Sequence, residues 1–548
     1  MPVPGAAGDF TRLLHGRNHA RPRRADCFCQ ATETRFAPHR REPAMIIFGV
    51  ALSVVLILVV GIVVARKVDG DSANYLVAGR RLGVPLVAVS LTAAAVDANA
   101  TVGNTDLTSQ FGFWSGASLA IGLAVCLLLT GLFLAKRMNA MKLFTLGDFF
   151  RLRYGRPVEL LASVLMIVSF TFLLAGNLVA CGFLLERFAN IPYAWGVVLA
   201  VVLVLAYTVA GGLFSDAYTA AIQTTITVVA AIVLLAWVAF SYGIVIPEGM
   251  GPFDLQQLTD PAAGAPINWA TLISLAIGDI VAIDFMQRIF GAKSPSVAQR
   301  SCFIAAGLTA AIGSVFAIVA LSVSSTLGLS VENGPVLYQL LGDYAPPIIA
   351  ILVLSGIVAA SFSTASGAML ATSAIAVRNV FTVRRHTGSG PDPLLRWTRL
   401  AMIPFVIAGA FLAIRVSQTG ILLTLAFDLM LACLAAPFVI GVFWKRPGAV
   451  AALGAMVVGF VVRMTLLALT PTLYGVPNDI LHVPNDLVGP EFDGWATLVS
   501  AVIGFGTYVA LAFALPRRAP ELDREAAVLA DLAAEREASE REGVEVPA

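Results

Sequence analysis

Two stretches of this chain place carboxylates and small polar residues inside sequence that is otherwise almost wholly apolar. The first, LTAAAVDANATVGNTDLTSQFG, carries Asp97, Asn99, Asn104 and Asp106 around Gly103. The second, ISLAIGDIVAIDFMQRIF, sets Asp279 directly after Gly278, with Asp284 a little over one helical turn later. A third, SGIVAASFSTASGAMLATSAIAV, is dense in hydroxyls, and its Ala360, Ser363 and Thr364 stand at i, i+3 and i+4 and so share a helix face. Hydroxyl and carbonyl oxygens are hard ligands for a hard cation, and an uncharged oxygen cage fits a monovalent ion such as Na⁺. Buried carboxylates can hold a cationic group or a proton. Neither HExxH nor GxxxxGK[ST] occurs, and no nucleophile constellation stands out, so the chain reads as no enzyme.

The elements that must carry these residues are membrane spans. The chain is 58% hydrophobic and 13% charged, where an average soluble domain is about 25% charged. A net charge of +2 argues against a nucleic-acid partner. A helix needs about 20 apolar residues to cross the hydrocarbon core. Thirteen candidates lie near 45–66, 84–111, 113–135, 157–185, 193–210, 216–243, 268–289, 297–328, 346–377, 397–416, 420–443, 447–470 and 494–515. Strands of alternating polarity, as in a membrane barrel, are not seen.

Spans two and seven are the interrupted ones. Irregular backbone at membrane depth is tolerated only where protein or water buries it, usually along a substrate path. Packing through small residues explains the alanines of span two but not its acids. Two broken spans five helices apart are what an inverted repeat produces, with spans two to six and seven to eleven as its halves. The expected organisation is a leading helix and loop at 45–83, a first half at 84–243, a second half at 244–443 and two trailing helices at 444–515.

Basic residues set the expected orientation. Connections holding Arg80, Lys136, Arg151, Arg288, Lys293, Arg378, Lys445 and Arg517 alternate with the loops 244–267, 331–345 and 472–493, which contain no Lys or Arg. The expectation is a multi-pass cell-membrane protein with its N-terminus outside and its C-terminus cytoplasmic. Residues 1–44 are arginine-rich and would then lie outside, against the rule; they read as a disordered extension or as untranslated sequence ahead of Met45. Their Cys27 and Cys29 form a CxC that is a weak metal signal, and the other cysteines sit in apolar runs as small core residues. The tail 516–548 reads as a solvated cytoplasmic helix.

Four segments carry a family resemblance. NYLVAGRRLG resembles the loop before the first core helix of the sodium/solute symporter family. YTVAGGLFSDAYTAAIQ, from Tyr207 to Gln223, is similar to that family's Y-x-x-x-G-G-L…Q signature. FMQRIFGAKS resembles its Q-R-x-x-x-A-K-S segment, and GIVAASFSTASGAML its A-x-x-S-T run. The resemblance covers about residues 45–470. It implies an all-α, leucine-transporter-type five-plus-five inverted repeat with one leading and two trailing helices. It also implies a sodium site between the first and eighth core helices, made by the backbone carbonyls of Ala93, Val96 and Ala360 and the hydroxyls of Ser363 and Thr364. One departure stands out. Many members carry Trp-Thr-Asp at the start of the fifth core helix, where this chain has Tyr218-Thr219-Ala220, with Asp216 four residues earlier. In members that have that acid, it is linked to sodium passage.

The solute is expected beside the broken helices, against Asp97, Asn99, Gly278 and Asp279, with Asp428 as a further acid and Asp106 at an outer gate. Arg463 is expected to snorkel or to pair structurally. Several acids suggest a small cationic or zwitterionic organic solute, such as an amino acid or an amine. GLFLAKRM and the run from Leu425 to Ala455 are most similar to the choline-transporter branch, yet no tryptophan lies in the broken parts to cage a quaternary ammonium. The expected activity is Na⁺-coupled import by alternating access, with Na⁺ as coupling ion and no other cofactor; the alternative is a proton-coupled or choline-like carrier of the same fold.

Overall fold

A computed structural model describes residues 43–68, 70–385 and 392–515. The expectations for the N-terminal extension, its CxC pair and the C-terminal tail fall outside them, apart from Pro43 and Ala44. Among the described residues, ten helices are long and apolar enough to cross a membrane, and two further spans are helix pairs bent at a short break. A shorter apolar helix, Tyr193–Ala206, adds to these.

The leading helix α1 (Pro43–Ala65) precedes the first bent pair, α2 (Val84–Ala95) and α3 (Asn104–Phe111), joined through a π-helical turn at Asn99–Gly103. Then come α4 (Phe113–Leu129), α5 (Arg156–Ala189) and α6 (Tyr193–Ser241). The second bent pair is α7 (Ala265–Ile277) and α8 (Ile283–Gly291). After it run α9 (Pro295–Leu327), α10 (Pro347–Ile375), α11 (Pro393–Arg415) and α12 (Thr419–Met430). The trailing helices are α13 (Ala449–Leu469) and α14 (Trp495–Ala514), which pack on each other.

The run α6 holds two of the thirteen expected spans, as two helices that meet at a kink. Gly212 interrupts it at φ 52°, ψ −147°, a conformation that costs a side-chain-bearing residue dearly. A Cβ there would also lie 2.5 Å from the Tyr75 carbonyl oxygen. The two expected spans are therefore both present, one on each side of that kink. The second arm of α6 packs along α10, where Thr227 Oγ1 donates to the Gly356 carbonyl oxygen at 3.3 Å.

Burial follows position in the bundle. The hydropathic window of α10 is 78% buried and that of α1 only 28%, so α10 is a central helix and α1 a peripheral one. Exposed apolar side chains such as Phe48, Leu56, Ile232 and Phe411 ring the outside, which in water would be a liability but in lipid is a solvated face.

Two basic residues expected in cytoplasmic connections are instead buried. Arg288 belongs to α8 and Arg378 to the π-helical turn that ends α10, each 1% exposed. Arg378 donates through Nε to both carboxylate oxygens of Asp148, at 3.0 and 2.9 Å. Asp148 sits on the short helix Leu146–Tyr154, between α4 and α5, and also accepts from Asn379 Nδ2 at 3.1 Å. Burial alone would raise its pKa, but the guanidinium charges of Arg378 and Arg384 outweigh it and hold the carboxyl below its usual range. Stability from this group is thus present above the ordinary carboxylate range and is lost as pH falls through its depressed folded value. Removing one partner of a buried pair costs about 3–5 kcal/mol. Asp148→Ala is therefore expected to lower the melting temperature of the purified protein at pH 7 by several degrees, and by less near pH 3, as read by thermal unfolding in detergent.

Candidate ion and solute sites

The break in the first bent pair is made by three residues. Helix α2 stops at Ala95, Val96 leaves helical geometry at φ −102°, ψ 70°, and the chain turns by 56° before continuing. Asp97 restarts it: Oδ1 accepts the backbone N–H of Ala100 at 3.0 Å, as a helix-capping aspartate does. Its Oδ2 accepts from Asn99 Nδ2 and from Asn177 Nδ2, both at 2.7 Å. Asn177 comes from α5 and was missed by the sequence reading; the lone amide in LLAGNLVA is the signal that could have found it.

The end of α2 meets α10. Thr364 Oγ1 donates to the carbonyl oxygens of Ala94 and Ala93, at 3.1 and 3.3 Å. Oxygens at that separation can both reach a hard cation held at about 2.4 Å. Ser363 stands beside Thr364, and Ala360 lies one turn earlier on the same face; all are buried. Val96 is the first residue of the break itself. The structure therefore joins the α2 carbonyls to Thr364 directly and puts Ser363 next to that contact.

The second bent pair turns by 47° at Ala282. Gly278 packs so close to α12 that a Cβ there would lie 2.2 Å from the Phe427 carbonyl oxygen. Its neighbour Asp279 is 1% exposed; no amide, hydroxyl or guanidinium donates to its carboxylate, and the thiol of Cys126 on α4 is the donor beside it. Asp97, Asp279 and Asp284 line one cavity with Ala94, Phe285 and Phe427. The free space is about 10 Å³, room for about one water molecule. An organic solute enters only when the helices part. Asn99 reaches this site through Asp97.

Asp428 does not join it. The carboxylate is fully buried and faces the trailing helices, where Oδ2 forms an ion pair with Arg463 Nε and accepts from Thr497 Oγ1 at 3.2 Å. The acid expected at the solute site is a structural tie between α12, α13 and α14, and Arg463 takes the pairing role rather than snorkelling. Asp106 lies toward the loop before α10, where Oδ1 accepts the backbone N–H of Val336 at 2.8 Å.

Sequence reasoning missed the cluster around Arg288. This guanidinium pairs with Asp216 on α6 at 2.9 Å and with Asp284 at 3.2 Å. Among the described residues, no group of three or more His, Cys, Asp or Glu has the arrangement of a metal site.

Helices broken at matching places in two halves of a bundle, with polar groups gathered at the breaks, define a secondary transporter. Its fold is the leucine-transporter type: a sodium-coupled sialic acid symporter in a substrate-bound, outward-open state superposes with a TM-score of 0.67 at 18% identity, over 86% of this chain and 98% of that one. The chain belongs to the sodium:solute symporter family, whose model matches residues 75–459. It is 26% identical to the sodium/pantothenate symporter of Escherichia coli (strain K12), over 80% of this chain and 95% of that protein. It is 25% identical to the high-affinity proline transporter of Bacillus subtilis (strain 168), over 72% and 86% respectively. As a family member it is a transporter and not an enzyme.

The Asp428–Arg463 pair gives a test of what belongs to the solute site. Asp428→Ala leaves Arg463 buried without its carboxylate and is expected to destabilise the protein by about 3–5 kcal/mol. Asp428→Leu/Arg463→Leu removes both charges and is expected to recover most of that loss. Thermal unfolding reads the difference, and recovery of stability in the double variant places the pair in packing rather than in solute binding.

Proposed function

We propose that this protein imports a small organic solute bearing an ammonium group, coupled to Na⁺, by alternating access, with its N-terminus outside and its C-terminus cytoplasmic. The sodium ligands are the carbonyls of Ala93, Val96 and Ala360 with the hydroxyls of Ser363 and Thr364. The contact of Thr364 with the Ala93 carbonyl at the end of a broken helix supports that set. A cation bridging α2 and α10 would tie two helices together and so favour the conformation that holds them close.

The charge of the cavity carries the solute reading. Asp284 is paired with Arg288 and Asp97 is held by two amides and a backbone N–H, but Asp279 is met only by the weakly donating thiol of Cys126. A buried carboxylate met only by a thiol is poorly compensated and calls for a cation. Gly278 lets α7 approach α12 closely enough to present Asp279 there. Phe285 and Phe427 supply apolar wall, enough for the body of an amine or zwitterion. The driving force is sufficient, at about 2.3 kcal/mol per charge per 100 mV plus about 1.4 kcal/mol per tenfold sodium gradient.

The same poorly compensated carboxylate favours one second reading, in which a proton on Asp279 is the coupling ion. Reconstituted vesicles separate the two. Candidates are first screened by thermal shift across amines, amino acids, betaines, sugars and carboxylates, with NaCl against KCl. Uptake of the best ligand is expected to follow an imposed Na⁺ gradient at fixed pH, and uptake driven by a pH gradient without sodium would instead select the proton reading. Asp279→Asn is expected to weaken solute binding at least tenfold while leaving sodium binding near wild type. Ser363→Ala/Thr364→Ala is expected to raise half-saturating sodium at least tenfold, and an unchanged sodium dependence would reject the ligand set.

A further inference from the structure

The proposed ligand set uses the oxygens of Ser363 and Thr364 but not the buried ion cluster beside them. Asp216 lies one turn past the kink of α6 and is 2% exposed. Its Oδ1 accepts from Ser366 Oγ at 2.8 Å and from Ser363 Oγ at 3.4 Å. Its Oδ2 accepts from Arg288 Nη2 at 2.9 Å and from Ser90 Oγ at 3.5 Å. Arg288 is committed on its other nitrogens as well. Nε donates to Ser90 Oγ at 2.9 Å, and Nη1 donates to the carbonyl oxygen and to Oδ2 of Asp284, at 3.1 and 3.2 Å. On the α10 side the guanidinium fits because residue 367 is glycine, where a Cβ would lie 2.8 Å from Nη2. Arg288 therefore fixes Asp216 with respect to α2, α8 and α10 together.

A serine hydroxyl has one hydrogen and two lone pairs. Where its hydrogen goes decides where its lone pairs face. Ser361, two residues before Ser363 and so on a different face of α10, spends its hydrogen on its own helix, on the Ile357 carbonyl oxygen at 2.8 Å. Ser363 does not; its hydrogen goes to a carboxylate on another helix. Two carboxylates share the one guanidinium, so with all three ionised the cluster carries a formal excess of negative charge beside the ligand set, which favours a nearby cation.

We propose that Asp216 is a positioning residue for the sodium site: it takes the Ser363 hydroxyl hydrogen, turns the Ser363 oxygen toward the ion, and is itself held in register by Arg288. The proposal rests on the sodium reading above. It assigns a task to an acid that the sequence places one turn before the family's usual position, by geometry rather than by alignment.

The test titrates NaCl against KCl at constant ionic strength and reads the sodium-dependent rise in melting temperature of the purified full chain, with no solute present. The variants are Ser363→Ala, Asp216→Ala, Asp216→Ala/Ser363→Ala and the charge-paired Asp216→Ala/Asp284→Asn/Arg288→Met. The last removes both carboxylates with the guanidinium they share, so it stands in if Asp216→Ala alone fails to fold. Half-saturating sodium is expected to rise at least tenfold in Asp216→Ala and in the charge-paired variant, and Asp216→Ala is expected to add nothing on top of Ser363→Ala. A purely structural role would lower the melting temperature in KCl without moving half-saturating sodium. Half-saturating sodium within twofold of wild type in the charge-paired variant, or independent multiplicative effects of Asp216→Ala and Ser363→Ala, would overturn the proposal. If Ser363→Ala itself leaves sodium binding unchanged, the ligand set fails first; if Ser363→Ala weakens it and the Asp216 variants do not, only the positioning role fails.

Discussion

A peptide group in the hydrocarbon core has no water to bond to, so every break in a spanning helix must be met by something polar. The break after Ala95 is met from two sides: Asp97 caps the restart from within, and Thr364 meets the α2 carbonyls from α10. Those carbonyls are acceptors that no longer have a helix ahead of them, and their natural complements are a hydroxyl hydrogen or a cation. A single geometric fact, the loss of helix at Val96, therefore creates the demand that hydroxyls and an ion can both satisfy. The dense run of small hydroxyl residues on α10 supplies the partners without bulk, and the close packing of α10 on the second arm of α6 keeps them in place.

The breaks were legible in the sequence because they violate local rules. Asp97, Asn99 and Gly103 in one apolar span, and Gly278–Asp279 in another, contradict the composition a continuous membrane helix needs, and the structure bends at both places. Hydroxyls at i, i+3 and i+4 were likewise readable, since helical period alone puts them on one face. What the sequence could not supply is partnership over long range. Asp279 and Asp428 look alike as isolated acids in apolar runs. One lines the cavity and the other is tied to Arg463, and only the packing of α13 and α14 against the π-helical stretch after α12 separates their roles.

Arg288 makes the same point about charge counting. In a loop, a basic residue near a span end reports orientation, and by sequence alone Arg288 counts with Lys293 in that sense. Helix α8 is amphipathic and buried on all its described residues, so the guanidinium is enclosed and its charge is answered by Asp216 and Asp284. Net charge per connection thus overstated the exposed basic surface by the very residues that hold the interior together.

The departure at Ala220 then takes on a physical meaning. Residues 216 and 220 are one helical turn apart and so lie on the same face of α6. Moving an acid from one to the other keeps it on the face toward α10 but shifts it by about 6 Å along the axis. At the earlier position the carboxylate meets Arg288, which a carboxylate one turn later would reach only with a different side-chain path. The buried guanidinium and the displaced acid therefore explain each other: an arginine enclosed among α2, α6, α8 and α10 requires a carboxylate at its own level, and Gly367 provides the space that lets both sit beside Ser363. Sequence comparison alone sees a missing aspartate; the packing shows an acid one turn earlier, paired with the arginine of the Q-R-x-x-x-A-K-S segment.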